Sequence, residues 1–375
     1  MTERSGDPAP ADHGALARYG WDARAEAAWA DHRGDGTEPG RVIAEHRGGY
    51  VVVAAPGELR AELSGKLRTA AAREPMLRPA VGDYVALDVH RAAGTATIHA
   101  VLPRTTVLTR RAAGRVATPQ IVAANVDTVF IVHPLDQPPN PRRLERYLAI
   151  TLASGAAPVI ALTKADLVAD REPVLSAIRP LLAKVAGERP IPIHVLSSVS
   201  GEGLDALDAY VAVPRTTALI GASGVGKSTL INRWLGEDRL QTGELRDDGK
   251  GRHTTTRREL LVLPRGGVVI DTPGMRELGL WNADESVPEA FADIAALAEG
   301  CRFRDCTHVH EPGCAVQAAA AAGTVEPERL ESYRKLCAEL AELAREREQA
   351  ARNRARKADH RVLRPGREGR GRGYR

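Results

Sequence analysis

The sequence predicts a multidomain protein with an N-terminal OB-fold β-barrel, a central α/β domain and a C-terminal helical domain that holds a metal ion. Short β-branched runs separated by glycine-containing turns fill residues 40–115, as expected for a small barrel. Strands and helices then alternate around a glycine-rich loop. Three of the four cysteines fall between Cys301 and Cys314. With 375 residues, the chain is too long for one ordinary domain.

The composition is that of a globular protein, with 43% hydrophobic and 27% charged residues. No apolar run approaches the ~18 residues of a membrane span, and the polar start, MTERSGDPAPADHG, lacks a signal-peptide core. We therefore expect a cytoplasmic protein with no membrane partner. Residues 345–375 contain twelve Arg and Lys against four Asp and Glu, which favours a polyanionic partner. The alternative is a solvated tail with no fixed partner.

These observations predict five segments. They are a flexible N-terminal segment (1–39), an OB-fold RNA-binding domain (40–115), an α/β domain (116–282), a zinc-binding domain (283–345) and a basic disordered tail (346–375). Within the first segment, only GWDARAEAAWA has helical character. Barrels of the OB type often bind nucleic acid, although a barrel with only a packing role stays open.

The α/β domain contains a phosphate-binding loop (P-loop) between an apolar strand, TTALI, and a helix, STLINRWL. Glycines in such a loop let backbone N–H groups face phosphate oxygens. Lys227 then meets the β and γ phosphates, and the Ser228 hydroxyl ligates Mg²⁺. The predicted loop consists of Gly221, Ala222, Ser223, Gly224, Val225, Gly226, Lys227, Ser228 and Thr229.

A second magnesium-linked position follows the strand VVIDTPG, where Asp271 reaches Mg²⁺ through water and the Gly274 N–H meets the γ-phosphate. Guanine selection is predicted from TKAD, that is Thr163, Lys164, Ala165 and Asp166. The Asp166 carboxylate can accept both the N1–H and the exocyclic N–H of guanine, while the Lys164 stem covers the base. At the end of another strand, the Ser197–Ser198 backbone is placed to meet the guanine O6.

The order of these motifs along the chain is unusual. Ordinary GTPases run from P-loop to threonine segment, D-x-x-G, N-K-x-D and serine loop, whereas here TKAD and the serines precede the P-loop. The cyclic order is unchanged, and all these loops follow strand C-termini at one edge of the sheet. The central domain is therefore predicted to be a circularly permuted P-loop GTPase domain.

From about residue 40 to about residue 345 the sequence resembles the ribosome-small-subunit-dependent GTPase A family (RsgA, also called YjeQ). The stretches that carry the resemblance are RPAVGDYVAL, AANVDTVFIV, RRLERYLA, GASGVGKSTL, GRHTTTRREL, VVIDTPGMRELGLW and the cysteine loop. The resemblance implies GTP hydrolysis stimulated by the 30S subunit during its late maturation, with GTP and GDP, the subunit and its 16S rRNA as partners of a monomer. One departure is Thr163 in place of Asn, which we expect to weaken the tie to the P-loop.

The residue that positions the attacking water is not the usual glutamine, because Met275 follows Gly274. His253, in GRHTTT, is the nearest polar candidate in sequence, and the resemblance also points to it. An alternative is that His253 contacts only RNA or solvent. Among the threonines of residues 254–256 we expect Thr255 to ligate Mg²⁺. Slow hydrolysis by the isolated protein follows from the missing glutamine.

The cysteine loop, CRFRDCTHVHEPGC, offers three thiolates and an imidazole, which form the closed tetrahedral set of a structural zinc ion. His308 and His310 are both candidates from the residues alone, and the resemblance selects His308. The predicted ligands are Cys301, Cys306, His308 and Cys314. Buried free cysteines are the alternative, and Cys337 is predicted to be a packing residue.

Two other functions compete with a ribosome-stimulated GTPase. A nucleotide-regulated RNA-binding assembly protein would hydrolyse GTP only incidentally. A P-loop kinase of a small molecule would show no guanine preference, and TKAD argues against it.

Overall fold

The structure is a computed structural model that carries no ligand. It describes residues 14–33, 35–46, 48–111, 119–185, 190–240, 258–271 and 286–362. Among these residues, no helix combines the length and the apolar character that crossing a bilayer requires.

A closed five-stranded barrel follows the N-terminal segment. Its strands are β1 (Glu38–His46), β2 (Gly49–Ala54), β3 (Gly57–Leu63), β4 (Tyr84–His90) and β5 (Thr95–Val101). The order β1-β2-β3-β5-β4 closes because β4 also pairs with β1, and the β3–β5 pair is parallel. Helix α2 (Gly65–Arg73) follows β3, and Ser64 caps its first turn. Alternating apolar residues such as Val52, Leu87 and Ile98 fill the interior. The predicted OB-fold is confirmed.

The N-terminal segment differs from the flexible chain that the sequence predicted. Its described part forms a 3₁₀ turn (Gly14–Tyr19) and helix α1 (Ala23–Trp29), whose first turn is capped by Asp22. Leu16 is fully buried, and Trp29 packs in one cluster with barrel residues. The segment is ordered because these few apolar side chains lie against the barrel. Residues 1–13 lie outside the described part.

A β-hairpin follows the barrel and forms a separate two-stranded sheet. Its strands are β6 (Val107–Arg111) and β7 (Pro119–Ala124). The expected boundary between residues 115 and 116 falls between these paired strands. The hairpin therefore belongs together as one unit, because its two strands satisfy each other's backbone hydrogen bonds.

The α/β domain contains a six-stranded region whose strands are mostly parallel. They are β8 (Thr128–Pro134), β9 (Ala157–Thr163), β10 (Ile193–Val195), β11 (Thr216–Ile220), β12 (Glu259–Val262) and β13 (Val268–Asp271). The order is β10-β9-β8-β11-β13-β12, and β12 is antiparallel to β13. The helices are α3 (Pro141–Ser154), α4 (Glu172–Ala183), α5 (Asp208–Val211) and α6 (Lys227–Leu235). As expected for strands covered on both faces, β8 and β11 are buried almost throughout.

The barrel and the α/β domain share one continuous sheet. Ala44 of β1 pairs with Glu259 of β12, which yields an 11-stranded sheet. Close to this junction lies Arg41, which is fully buried. Its Nη2 donates to Thr216 Oγ1 at 2.9 Å, its Nε donates to Gly82 O at 3.2 Å, and its guanidinium lies 4.7 Å from the Tyr84 ring centroid. Arg41 thus connects the barrel to the strand that leads into the P-loop.

The C-terminal region is helical. Its helices are α7 (Ser286–Ala290), α8 (Ala292–Ala298), α9 (Ala315–Ala321) and α10 (Pro327–Val362). The prediction of a disordered tail from residue 346 is wrong for residues 346–362, which continue α10. Ala, Glu, Arg and Lys dominate that stretch and are strong helix formers, and Glu348 pairs with Arg352 one turn later. Residues 363–375 lie outside the described part.

Ion pairs attach α10 to the α/β domain. Arg329 is buried and donates to Glu145 of α3 at 2.8 Å and to Asp293 of α8 at 2.6 Å. Farther along α10, Arg146 of α3 pairs with Glu339. The C-terminal helical region is therefore fixed to helix α3 of the α/β domain.

Candidate nucleotide and metal sites

Four loops that carry predicted site residues meet at one edge of the sheet. Strands β9, β10, β11 and β13 all end there, because β8–β9, β9–β10, β8–β11 and β11–β13 are parallel pairs. Ligands of α/β proteins bind at such an edge. The structure thus brings the P-loop, TKAD, the serine loop and Asp271 to one place.

The P-loop follows β11 and opens helix α6. Gly221, Gly224 and Gly226 have φ values of +154°, +72° and +97°. A Cβ at Gly221 would lie 2.6 Å from Val132 O, so only glycine fits. Lys227 Nζ donates to the carbonyl oxygens of Gly221 (3.0 Å) and Ala222 (2.6 Å). The ammonium is therefore held across the loop that is expected to enclose phosphates.

The remaining P-loop residues divide by exposure. Ser223 and Gly224 are exposed at the tip, whereas Val225 is buried and anchors the loop. Ser228 and Thr229 are half-buried in the first turn of α6. The Ser228 hydroxyl thus lies at the helix N-terminus, where anions and their cations are expected.

Thr163 ties the guanine loop to the P-loop. Its side chain is buried, and its hydroxyl donates to Val225 O at 2.6 Å. Threonine makes this tie directly, because its hydroxyl reaches the carbonyl; that the tie is weaker than one made by asparagine stays a prediction. The short threonine side chain suffices because β9 ends close to the P-loop: a Cβ at Gly226 would lie only 3.6 Å from Thr163 Oγ1.

Asp166 is exposed at the end of β9 and is oriented by Ser197. The Ser197 hydroxyl is buried and donates to Asp166 Oδ1. It also accepts the N–H groups of Val199 and Ser200, both at 3.1 Å. The carboxylate is thus set in one orientation at the rim of the site, which suits recognition of a base edge.

One detail of the serine loop departs from expectation. The Ser197 N–H donates to Glu202 O at 2.9 Å, within the same loop. Of the two backbone N–H groups predicted to meet guanine O6, that of Ser198 is then the candidate. The sequence could not show this, because the bond depends on how the loop folds back.

Asp271 ends β13 near the P-loop lysine. Burial raises the pKa of its carboxyl, and the positive charge of Lys227 opposes that rise. The Asp271 carboxylate can attract a metal cation, and the nearby Lys227 ammonium can attract phosphate. Gly274, Met275, His253 and Thr255 lie outside the described residues, within 241–257 and 272–285.

Asp136 is a site residue that the sequence analysis missed. It follows β8 at the same sheet edge, and its Oδ2 lies 2.9 Å from Lys164 Nζ. The available signal was a carboxylate directly after a buried strand. Its link to Lys164 depends on β8 and β9 being neighbours, which the sequence alone does not establish.

The predicted zinc ligands form one cluster. The ligand atoms of Cys301, Cys306, His308 and Cys314 all lie within 4.8 Å of one another. The Cys301–Cys314 sulfur separation is 3.8 Å, and His308 Nδ1 lies 3.6 Å and 3.4 Å from those two sulfurs. Tetrahedral zinc with Zn–S of about 2.3 Å and Zn–N of about 2.0 Å requires separations of roughly 3.8 Å and 3.5 Å. The donor set therefore fits that ion.

Residues around the cluster fix the histidine. His308 has a left-handed backbone with φ of +60°, and Gln317 Nε2 donates to its carbonyl oxygen at 2.7 Å. His310 is exposed, and neither it nor Cys337 belongs to the cluster. The choice of His308 over His310 as a cluster member is thus confirmed.

The strand order and the order of the loops along the chain place the protein among the circularly permuted GTPases. Comparison with known families goes one step further: the chain belongs to the RsgA GTPase family, whose family model matches residues 101–281. It is therefore a GTP hydrolase.

Relatives cover most of the chain. The small ribosomal subunit biogenesis GTPase RsgA of Opitutus terrae is 48% identical over 340 residues, covering 88% of this chain and 91% of the relative. The protein of the same name from Streptomyces coelicolor is 44% identical over 329 residues, covering 88% and 87%. The crystal structure of YjeQ from Thermotoga maritima matches with a TM-score of 0.56 and 28% identity, covering 81% of this chain and 99% of that one. YloQ, described as a circularly permuted GTPase, shares the fold at 24% identity and a TM-score of 0.54.

Proposed function

We propose that the protein is a GTPase of late small (30S) ribosomal subunit maturation, and that the subunit stimulates its hydrolysis of GTP to GDP and phosphate. The observation that carries the proposal is the bond between Thr163 and Val225, which locks a guanine-reading loop onto a P-loop. The relatives are named as small ribosomal subunit biogenesis GTPases, and this name supplies the biological setting.

Guanine nucleotides bind at the shared sheet edge. Asp166, held by Ser197, accepts the N1–H and exocyclic N–H of guanine, and adenine offers no such pair of donors. When a nucleotide enters, Lys227 exchanges the carbonyl oxygens of Gly221 and Ala222 for the β and γ phosphate oxygens. The exchange costs little, because the ammonium already lies across the loop.

Magnesium accompanies the nucleotide and neutralises phosphate charge when bound. The Ser228 hydroxyl and Thr255 would hold it directly, and Asp271 would hold it through water. Ser228 opens α6, and Asp271 ends the neighbouring parallel strand β13, which supports this assignment.

In hydrolysis, a water oxygen bonds to the γ-phosphorus, and the bond from that phosphorus to the bridging oxygen breaks. A proton of the water passes to a phosphate oxygen, and GDP and inorganic phosphate leave. His253 orients the water, because Met275 stands where a glutamine would do so. The bound subunit places the His253 imidazole, so we expect hydrolysis by the free protein to be slow.

The remaining parts bind the subunit in the cytoplasm. The barrel, the zinc-binding region and the basic C-terminal residues contact 16S rRNA, and the protein acts as a monomer. Residues 345–375 carry a formal charge of +8, from twelve basic and four acidic residues, and supply the electrostatic attraction. One zinc ion, held by Cys301, Cys306, His308 and Cys314, is structural, because these four ligands leave no open position.

Turnover of GTP with and without purified 30S subunits tests the proposal. We expect slow turnover alone, clear acceleration by 30S and none by 50S, with no turnover of ATP. Lys227→Ala serves as the inactive control. Equal use of GTP and ATP would contradict the assigned base site, and a rate indifferent to 30S would contradict the biological setting.

A further inference from the structure

We propose that Asp136 is a positioning residue for guanine-nucleotide binding: its carboxylate holds the Lys164 ammonium, so that the lysine stem is already extended over the place of the base. The inference rests on the guanine-nucleotide binding proposed above. The inference assigns a role to Asp136, which lies outside all of the predicted motifs.

The backbone around Asp136 is restrained on both sides. The Leu135 N–H donates to Thr163 O at 2.9 Å, which fastens the turn after β8 to the end of β9. His133 Nε2 lies 3.1 Å from Gln137 O and closes the same turn. Two prolines, at positions 138 and 139, follow directly and restrict the backbone. The fold therefore places the backbone of Asp136 beside the end of β9, within reach of the Lys164 side chain.

Lys164 is fixed at both of its ends. Its backbone adopts a left-handed conformation, φ 60° and ψ 37°, which is uncommon for a residue with a side chain. Lys164 follows Thr163, which is bonded to the P-loop, and precedes the 3₁₀ turn Ala165–Leu167, which contains Asp166. At the other end, Lys164 Nζ lies 2.9 Å from Asp136 Oδ2. The methylene stem is thus ordered before any ligand arrives.

Ordering a long side chain before binding removes a cost of association, because free lysine loses several rotamers when it is immobilised. The stem contacts the face of a purine, whereas Asp166 reads its edge. Loss of Asp136 should therefore weaken guanine and hypoxanthine nucleotides by the same factor. Loss of Asp166 should change the preference between bases.

The experiment uses full-length, zinc-loaded protein and a fluorescent GDP analogue displaced by unlabelled GDP or IDP. Asp136→Ala should weaken both ligands about three- to tenfold, and Asp136→Asn, which keeps the shape of the turn, should weaken them less. In a Lys164→Met background, Asp136→Ala should have no further effect, because its contribution passes through the lysine. Glu172→Ala, which removes a carboxylate from the exposed pair with Arg179 on α4, should bind like wild type.

Unchanged GDP affinity in both Asp136 variants would overturn the inference, as would an equal loss in the Lys164→Met background. A change confined to IDP would overturn it too, since stem contact does not distinguish the two bases. Failure of the proposed function looks different: wild-type protein itself would then show no preference for GDP over ADP.

Discussion

The hydroxyl of Thr163 donates across 2.6 Å to the carbonyl oxygen of Val225, so the end of β9 and the P-loop are joined by one side chain. Both residues are almost fully buried. The short threonine side chain is able to bond to the P-loop, as the longer asparagine amide would, because the end of β9 lies close to the loop.

Replacing Thr163 by Val should lower both stability and nucleotide affinity. The valine keeps the shape but leaves the buried Val225 carbonyl without its donor, which costs about 1–3 kcal/mol. Thermal unfolding and GDP titration measure the two effects. Thr163→Ser retains the hydroxyl and should stay near wild type, and a loss in Thr163→Ser as large as in the valine variant would point to packing instead.

Asp166→Asn should shift the base preference from guanine toward xanthine. An amide replaces one acceptor by a donor, so guanine loses a charge-assisted hydrogen bond worth roughly 1.5–3 kcal/mol. Xanthine, which carries an oxygen in place of the exocyclic amine, should gain. Competition between GTP and XTP for the two proteins measures this. Wild-type affinity of the variant for GTP would show that the base lies elsewhere.

Cys306→Ser should release the proposed zinc ion and loosen α9, because Cys314 at its N-cap belongs to the same cluster. Metal analysis of wild type should give about one zinc per chain. Guanine-nucleotide binding should persist, since the sheet edge is built from other strands. Cys337→Ser, outside the cluster, is the control and should keep its zinc. Wild-type protein prepared without chelators yet free of zinc would refute the assignment.

His253→Ala should bind GTP and 30S subunits normally but lose most of the stimulated rate. Groups that position or polarise water contribute roughly 10²–10⁴-fold. Single-turnover hydrolysis on saturating 30S subunits measures the loss, and Lys227→Ala should fail already at nucleotide binding. Full stimulated turnover in His253→Ala would assign the water to another group and leave the histidine among the RNA contacts.

Arg329→Met should destabilise the attachment of α10. The change leaves Glu145 and Asp293 without their buried cation, and breaking such pairs costs about 3–5 kcal/mol. The exposed pair between Arg142 and Glu331 provides the matched control, and Arg142→Ala should cost less than about 1 kcal/mol. Urea unfolding compares the two variants. Equal effects would mean that burial of Arg329 is not what holds α10.

Motifs whose chemistry is local were predictable from the sequence. The P-loop glycines, TKAD and the metal ligands each lie within fourteen residues, so their spacing alone indicates a function. The apolar run VDTVFIVHPL likewise predicts a buried strand, and Thr128–Pro134 forms it. The permuted order could be deduced because it is a property of the chain, not of its packing.

Contacts between distant segments could not be predicted. Arg41 stands among alternating strand residues and resembles an exposed strand position, yet three parts of the molecule bury it. The charges of residues 346–362 suggested disorder, but their strong helix-forming composition continues α10. Charge alone therefore does not determine backbone order.

The pairing of Ala44 with Glu259 gives β12 a neighbour on both sides, β1 and β13. Residues 241–257, with the threonines and His253, precede this strand in the chain. If the sheet ended at β12, that strand would be an edge strand with unpaired backbone groups and could fray. Here β1 of the barrel occupies that edge, so β12 is paired on both sides, and the barrel and the α/β domain are joined by continuous backbone pairing.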